Sequence, residues 1–138
     1  MNRAIDITFK DRDRILKLIE KEKEFGTEKN KGYLKDLEQE LKRANIVSSE
    51  DIPPNSITMN SKIILKDLDL GEETTYTLVY PGEADLSENK ISVLAPIGTA
   101  ILGFREGDEI DWKVPAGIVK LEVKKIIYQP EAAGNYEL

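Results

Sequence analysis

The sequence predicts an α+β fold in which an N-terminal helical hairpin leads into a small antiparallel sheet with one short helix. Three observations support this. Up to about residue 45, apolar residues recur at three- and four-residue spacing, as on one face of a helix. A polar stretch with a proline pair, "SSEDIPPNS" at 48–56, marks a junction. Beyond it the period drops to two, in segments rich in β-branched and aromatic residues. The expected division is residues 1–48 for the hairpin and 49–138 for the sheet domain.

The first helix is expected within "ITFKDRDRILKLIEKEKEF". Thr8 can cap it, and Asp11, three residues on, stands in for the capping-box acid. Ile15, Leu18 and Ile19 then form one apolar face. After Gly26-Thr27, the residues Leu34, Leu37, Leu41 and Ala44 recur three, four and three apart, the spacing of an a/d seam. Two helices of about 15 residues joined by a short polar turn read as an antiparallel coiled-coil hairpin, ~22 Å long at about 1.5 Å per residue. A seam this thin predicts that the hairpin leans on the rest of the chain, and favours packing within one molecule over a dimer interface.

Five strands are expected in "ITMNSKIIL", "TTYTLVYPG", "KISVLAP", "DEIDWKVP" and "GIVKLEVKKIIYQ". In the last, Val119, Leu121 and Val123 alternate with Lys120, Glu122 and Lys124, so one face is buried and the other wet. Between the third and fourth, Pro96 suits the first turn of a helix and Gly103 the position just past its end. The segment therefore reads as a strand running into a helix of one to two turns, with Ile97, Ile101 and Leu102 plugging the open face of the sheet. Gly107 in "REGDE" is available for positive φ at the next turn.

The composition narrows the function. With neither cysteine nor histidine, the chain lacks thiolate chemistry, a disulfide framework, and the commonest general base and metal ligand. Residues 1–45 hold twelve Lys+Arg against ten Asp+Glu, and residues 46–138 hold eight against sixteen. An acidic body without a basic, aromatic-interleaved stripe predicts no direct high-affinity nucleic-acid binding. No apolar run approaches the ~20 residues of a membrane span, and "MNRAIDITFKDRD" lacks the apolar core of a signal peptide. A cytoplasmic monomer without cofactor or metal is expected, with a protein as its partner.

The segments "ITMNSKIILKDL", "YTLVYPGEAD", "ISVLAPIGTAILGFREGDEIDWKVPAG" and "IIYQPEAAG" resemble the Rnk family, regulators of nucleoside diphosphate kinase, within the Gre transcript-cleavage-factor superfamily. The resemblance covers about residues 52–135, and the hairpin agrees in position and shortness. It implies a coiled-coil hairpin, an FKBP-like C-terminal domain, and binding at the secondary channel of RNA polymerase in competition with other channel factors. In the wider Gre pattern an Asp-Ser-Pro step before the small helix helps to dock the domain. Here the matching residues are Leu94, Ala95 and Pro96, the Rnk version, so the contact expected at Leu94, Ala95, Pro96 and Ile97 is more apolar.

Gre factors also carry acidic residues at a longer hairpin tip that help hold a catalytic magnesium. The tip here offers Glu22, Glu24 and Glu28 among Lys21, Lys23, Lys29 and Lys31. Ammonium groups that already neutralise the field make a poor magnesium site, so no transcript cleavage is expected. "DLSEN" at 85–89 imitates the Gre tip sequence, but it joins two strands and reads as a solvated turn with Asp85 bonding its own backbone. "REGDEID" likewise reads as a solvated connection, and Trp112 as a core or partly covered sheet residue. The function expected is a non-enzymatic, polymerase-binding regulator of transcription. Two alternatives stand beside it: regulation of nucleoside diphosphate kinase level or activity by protein contact, and a peptidyl-prolyl isomerase or chaperone suggested by the fold alone.

Overall fold

The computed structural model describes residues 5–25, 31–114 and 116–135. Strand β1 (Asp6–Ile7) leads into helix α1 (Phe9–Phe25), then helix α2 (Lys31–Lys42) and strand β2 (Asn45–Ile46). After the proline-containing stretch come β3 (Lys62–Asp67), β4 (Glu73–Val79), β5 (Lys90–Ser92), helix α3 (Pro96–Ile101), β6 (Glu109–Val114) and β7 (Gly117–Tyr128). The five later strands form one sheet in the order β5-β4-β3-β7-β6.

Helix α1 starts where its cap predicts. The Asp11 N–H donates to Thr8 Oγ1 at 3.3 Å, satisfying one of the first-turn donors that a helix leaves unpaired. Ile15, Ile19, Leu34, Leu37 and Leu41 are all buried, as the spacing requires. They belong to the same apolar cluster as Ile57, Leu78 and Ile101, and α2 packs against α3. The leucine seam therefore serves the contact between hairpin and body as well as the one between its own helices.

Two short strands frame the hairpin, and neither carries a sequence signal of its own. β1 and β2 pair in parallel, with Asn45 N–H donating to the Ile5 carbonyl at 2.9 Å and Val47 N–H to that of Ile7 at 3.1 Å. The chain thus enters and leaves the hairpin at one point. Arg105, in the turn before β6, clamps that point by donating to Asp6 Oδ2 at 2.8 Å.

The sheet corrects the expectation of antiparallel pairing throughout, since β5 runs parallel to β4 (Leu78 opposite Ile91). The cause lies in "DLSEN". Asp85 and Lys90 exchange two backbone hydrogen bonds of 2.9 Å each around a turn that ends on Asn89, at φ 55°. This second reversal, after the turn at Pro81–Glu83, sends the chain back in the direction of β4. The remaining pairs are antiparallel, with register shifts between β3 and β7. β3 also begins later than expected. Asn60 at φ 66° and the Thr58–Ser61 hydrogen bonds turn the chain there, so only Lys62 onward is extended.

Helix α3 closes the inward face. Ile101 and Leu102 are buried, Ile97 and Trp112 pack against the same cluster, and Gly103 at φ 86° ends the helix. Gly107 takes positive φ in the following turn, as predicted.

The C-terminal turn ties down the proline stretch. Buried Gln129 donates from Nε2 to the Pro53 carbonyl at 2.8 Å and the Ser56 carbonyl at 2.6 Å, and its Oε1 accepts from Ala132 N–H at 3.2 Å. Truncation of this amide leaves the buried Ser56 carbonyl without its donor and the Ala132 N–H without its acceptor. Gln129→Ala is therefore expected to lower unfolding stability by about 2 kcal/mol, measured as a lower urea midpoint at unchanged slope.

Candidate functional site

The residues singled out as a contact surface run from the turn after β5 (Leu94, Ala95) into the first turn of α3 (Pro96, Ile97). Ser92 organises the turn after β5. Its Oγ accepts from Leu94 N–H at 3.0 Å and its carbonyl accepts from Ala95 N–H at 3.0 Å. Ala95 is the extended residue that precedes α3, and Pro96 is the first helical residue. An alanine supplies no capping oxygen, so the helix start relies on Pro96, which needs no hydrogen-bond acceptor, and on Thr99 Oγ1 donating to the Pro96 carbonyl at 2.9 Å. Pro96 is exposed, while Leu94, Ala95 and Ile97 are half-buried. The turn presents an apolar, largely uncharged edge beside the hairpin, since α3 also contacts α2.

Gly98 explains how that edge is held. A Cβ there would overlap the Ser92 carbonyl oxygen and lie 3.0 Å from Val93 Cα. The helix therefore rests directly on the backbone of the preceding strand.

The acidic residues expected at the hairpin tip are only partly described. Glu22 is half-buried near the end of α1, Glu24 belongs to the same helix, and Glu28 lies outside the described residues. Among the described residues no cluster of three or more acidic side chains is placed to hold a metal ion. The "DLSEN" turn is built as read: Asp85 Oδ1 accepts from Ser87 N–H at 3.0 Å and from Ser87 Oγ at 2.6 Å. These bonds, led by the one from the hydroxyl, hold the Asp85 carboxyl below the usual carboxylate range. In "REGDEID", Asp108 Oδ2 accepts from Arg105 N–H at 2.8 Å and Glu106 Oε2 from Ile126 N–H at 3.2 Å, so both carboxylates serve the turn.

One polar constellation was not anticipated. Asp11, read as a cap residue, is only 4% exposed, and its Oδ1 accepts from the Tyr80 hydroxyl at 2.8 Å. The Arg14 guanidinium lies over the Tyr80 ring, 3.8 Å from its centroid. Glu131 Oε1 accepts from Thr58 Oγ1 at 2.6 Å. Burial pushes the Asp11 and Glu131 carboxyls above their ordinary values, against the opposing effect of these hydrogen bonds. Burial, followed by the nearby Asp11 charge, also raises Tyr80. A sequence signal for Asp11 exists: it precedes Ile15 and Ile19 by one and two four-residue steps, which places it on the buried face.

Comparisons with known proteins match two overlapping stretches of the chain. Residues 38–128 match the family model described as "Transcription elongation factor, GreA/GreB, C-term", and residues 3–47 match the one described as "Rnk N-terminus". The "Regulator of nucleoside diphosphate kinase" of Escherichia coli strain K12 is 47% identical over 103 residues, covering 74% of this chain and 76% of that protein. "Transcription elongation factor GreA" of Syntrophotalea carbinolica is 38% identical over 97 residues, covering 70% of this chain and 61% of that protein. Among solved structures, "Prokaryotic transcription elongation factor GreA/GreB from Nitrosomonas europaea" superposes with a TM-score of 0.76 at 40% identity. The match covers 91% of this chain and all of that one.

Proposed function

The chain belongs to the GreA/GreB family of transcription elongation factors and, within it, groups with regulators of nucleoside diphosphate kinase, and from that premise we propose that it binds RNA polymerase and regulates transcription without cutting RNA. The sheet domain, residues 49–138, docks beside the secondary channel through the edge formed by Leu94, Ala95, Pro96 and Ile97. The coiled-coil hairpin, residues 1–48, occupies the channel entrance and excludes Gre-type factors with longer fingers. The FKBP-like body acts as a grip and catalyses nothing.

The observation that carries this reading is the packing of the hairpin base against the docking helix, α2 on α3. A partner that grips the edge at Pro96 therefore receives the hairpin in a set position. The tip acids Glu22, Glu24 and Glu28, interleaved with lysines, do not offer the uncompensated carboxylate pair that magnesium needs.

Pro96→Glu tests the dock. An acid at the exposed first position of the helix suits the helix dipole and offsets part of the loss of Pro96 at the helix start, so the fold should be retained, as checked by its urea midpoint. The same charge should weaken association with core polymerase about tenfold by placing an unpaired anion in an apolar contact. Binding is measured by co-elution and titration with purified core enzyme. Parent protein that does not bind at all rules out the reading, and a Pro96→Glu variant that binds like the parent rules out this edge as the dock.

A second reading is favoured by the name of the 47% identical relative: regulation of nucleoside diphosphate kinase. Direct contact with the kinase would appear as co-elution with that enzyme in the absence of polymerase. An effect on kinase level that disappears when polymerase binding is lost would instead be a consequence of transcription.

A further inference from the structure

Arg14 is exposed on α1, and its guanidinium carbon lies 3.8 Å from the centroid of the Tyr80 ring. The ring beneath it is fixed, because Tyr80 is buried and its hydroxyl donates to buried Asp11 at 2.8 Å. Half of this stack comes from the hairpin and half from the body, so it exists only while the two are seated together. It also adjoins the contact edge. Val79 is paired with Ser92, and Val93 N–H donates to the Val79 carbonyl at 2.9 Å, so Tyr80 and Leu94 each lie one residue beyond that bond. We infer that Arg14, stacked on Tyr80, is a preformed anchor for a carboxylate on the protein that grips residues 94–97. The inference rests on the polymerase-docking reading and gives that dock a charged contact beside its apolar one.

The chemistry of the stack suits that role. A guanidinium presents its N–H donors as a planar fork that fits a carboxylate with two parallel bonds. Among the described residues no carboxylate makes an ion pair with Arg14. The charge of Asp11 reaches it, but Asp11 Oδ1 accepts from Tyr80. Stacking also restrains a long side chain before any partner arrives, which lowers the ordering cost of binding. Arginine and tyrosine are among the residues in which binding energy concentrates at interfaces.

The surroundings select an acidic protein. Lys10, Arg14, Lys17 and Lys21 follow at spacings of four, three and four, and all are exposed. One side of α1 is therefore basic along about 16 Å. Lys17 is countered by Asp13 at 3.0 Å. A protein surface with one or two carboxylates beside an apolar patch matches both this side of the helix and the edge at Pro96. A nucleic acid does not, because its phosphates would meet a chain of net charge −6 whose excess acid lies in the body.

Titration of the parent, Arg14→Ala and Arg14→Lys into purified core polymerase tests the anchor, with urea midpoints measured alongside. Both variants should fold, because the stack is exposed and Ile15 and Ile19 still bury the helix. Arg14→Ala should weaken binding about tenfold. Arg14→Lys keeps the charge without the planar fork, and should bind about threefold more weakly than the parent. Added salt should weaken the parent more than Arg14→Ala, which has no ion pair there to screen. Variants that bind like the parent overturn the anchor and leave the docking reading standing, whatever their urea midpoints, since the stack then only fastens the hairpin. A weakening that keeps the salt dependence of the parent also overturns it, because it comes from a displaced hairpin. Arg14-dependent binding of a short RNA oligonucleotide, with polymerase binding unaffected, overturns it in favour of nucleic acid. A parent that does not bind polymerase overturns the docking reading and the anchor together.

Discussion

Gly98→Ala is expected to cripple the fold and, with it, any docking. In an open helix this change would add about 1 kcal/mol of stability, because alanine is the better helix former. Here the new methyl overlaps the Ser92 carbonyl oxygen, and the Ser92 carbonyl carbon and Val93 Cα stand 2.9 and 3.0 Å away. All three atoms are backbone, held by Val93 N–H donating to the Val79 carbonyl at 2.9 Å and Ala95 N–H donating to that of Ser92. They can yield only by moving α3 off β5. The overlap therefore outweighs the propensity gain, and a net loss of roughly 3 kcal/mol or more is expected. Gly82→Ala is the control. Its added methyl meets nothing within 4 Å, and it should shift stability by about 0.5 kcal/mol or less. Thermal or urea denaturation of the two variants decides the matter.

The second large effect is expected at the hairpin. Leu41→Ala removes a fully buried side chain from the seam of α2 and should lower stability by about 3 kcal/mol. Its character matters as much as its size. Because the seam and the sheet share one apolar cluster, the variant should unfold in one transition at a lower urea midpoint, with circular dichroism and Trp112 fluorescence coincident. A helical phase lost ahead of the tryptophan phase would mean that the hairpin melts separately. Deletion of residues 1–48 is a poor probe for the same reason, since it would uncover the apolar surface on which the hairpin rests. Substitutions at the edge or the tip separate docking from plugging more cleanly.

Local features were legible in the sequence. Thr8 caps the first helix, the leucine spacing marks the buried face of the second, and Gly103 and Gly107 take the positive φ that their positions demanded. The start of the small helix was legible as well, because Pro96 opens α3 directly after Leu94 and Ala95. Features set by distant partners were not. The β1–β2 pair rests on two residues per strand, too few to show a period. Parallel pairing of β5 depends on the reversal at Asp85–Asn89, and a strand's own residues do not encode the direction of its neighbour. Asp11 meets Tyr80 across 69 positions, and Gln129 meets Ser56 across 73. Spacing put Asp11 on the buried face of its helix, but only tertiary packing gave it Tyr80 as a partner and made the Gln129 amide a clamp.

In the proposed function the grip and the plug act as one unit. Asp6–Arg105, Asp11–Tyr80 and the α2–α3 contact join the hairpin to the body at three places, each pairing the hairpin or its framing strand with a different body segment. On the proposed function, a finger anchored in this way blocks by position and shape. Competition should therefore depend on occupancy of the dock, with little contribution from the sequence of the tip.

The most direct measurement is a titration of the purified protein into stalled transcription complexes that contain a Gre-type cleavage factor. RNA cleavage by that factor should fall as this protein binds, and the protein alone should yield no cleavage products at any concentration. Undiminished cleavage at saturating protein, or shortened RNA with this protein alone, would contradict the account.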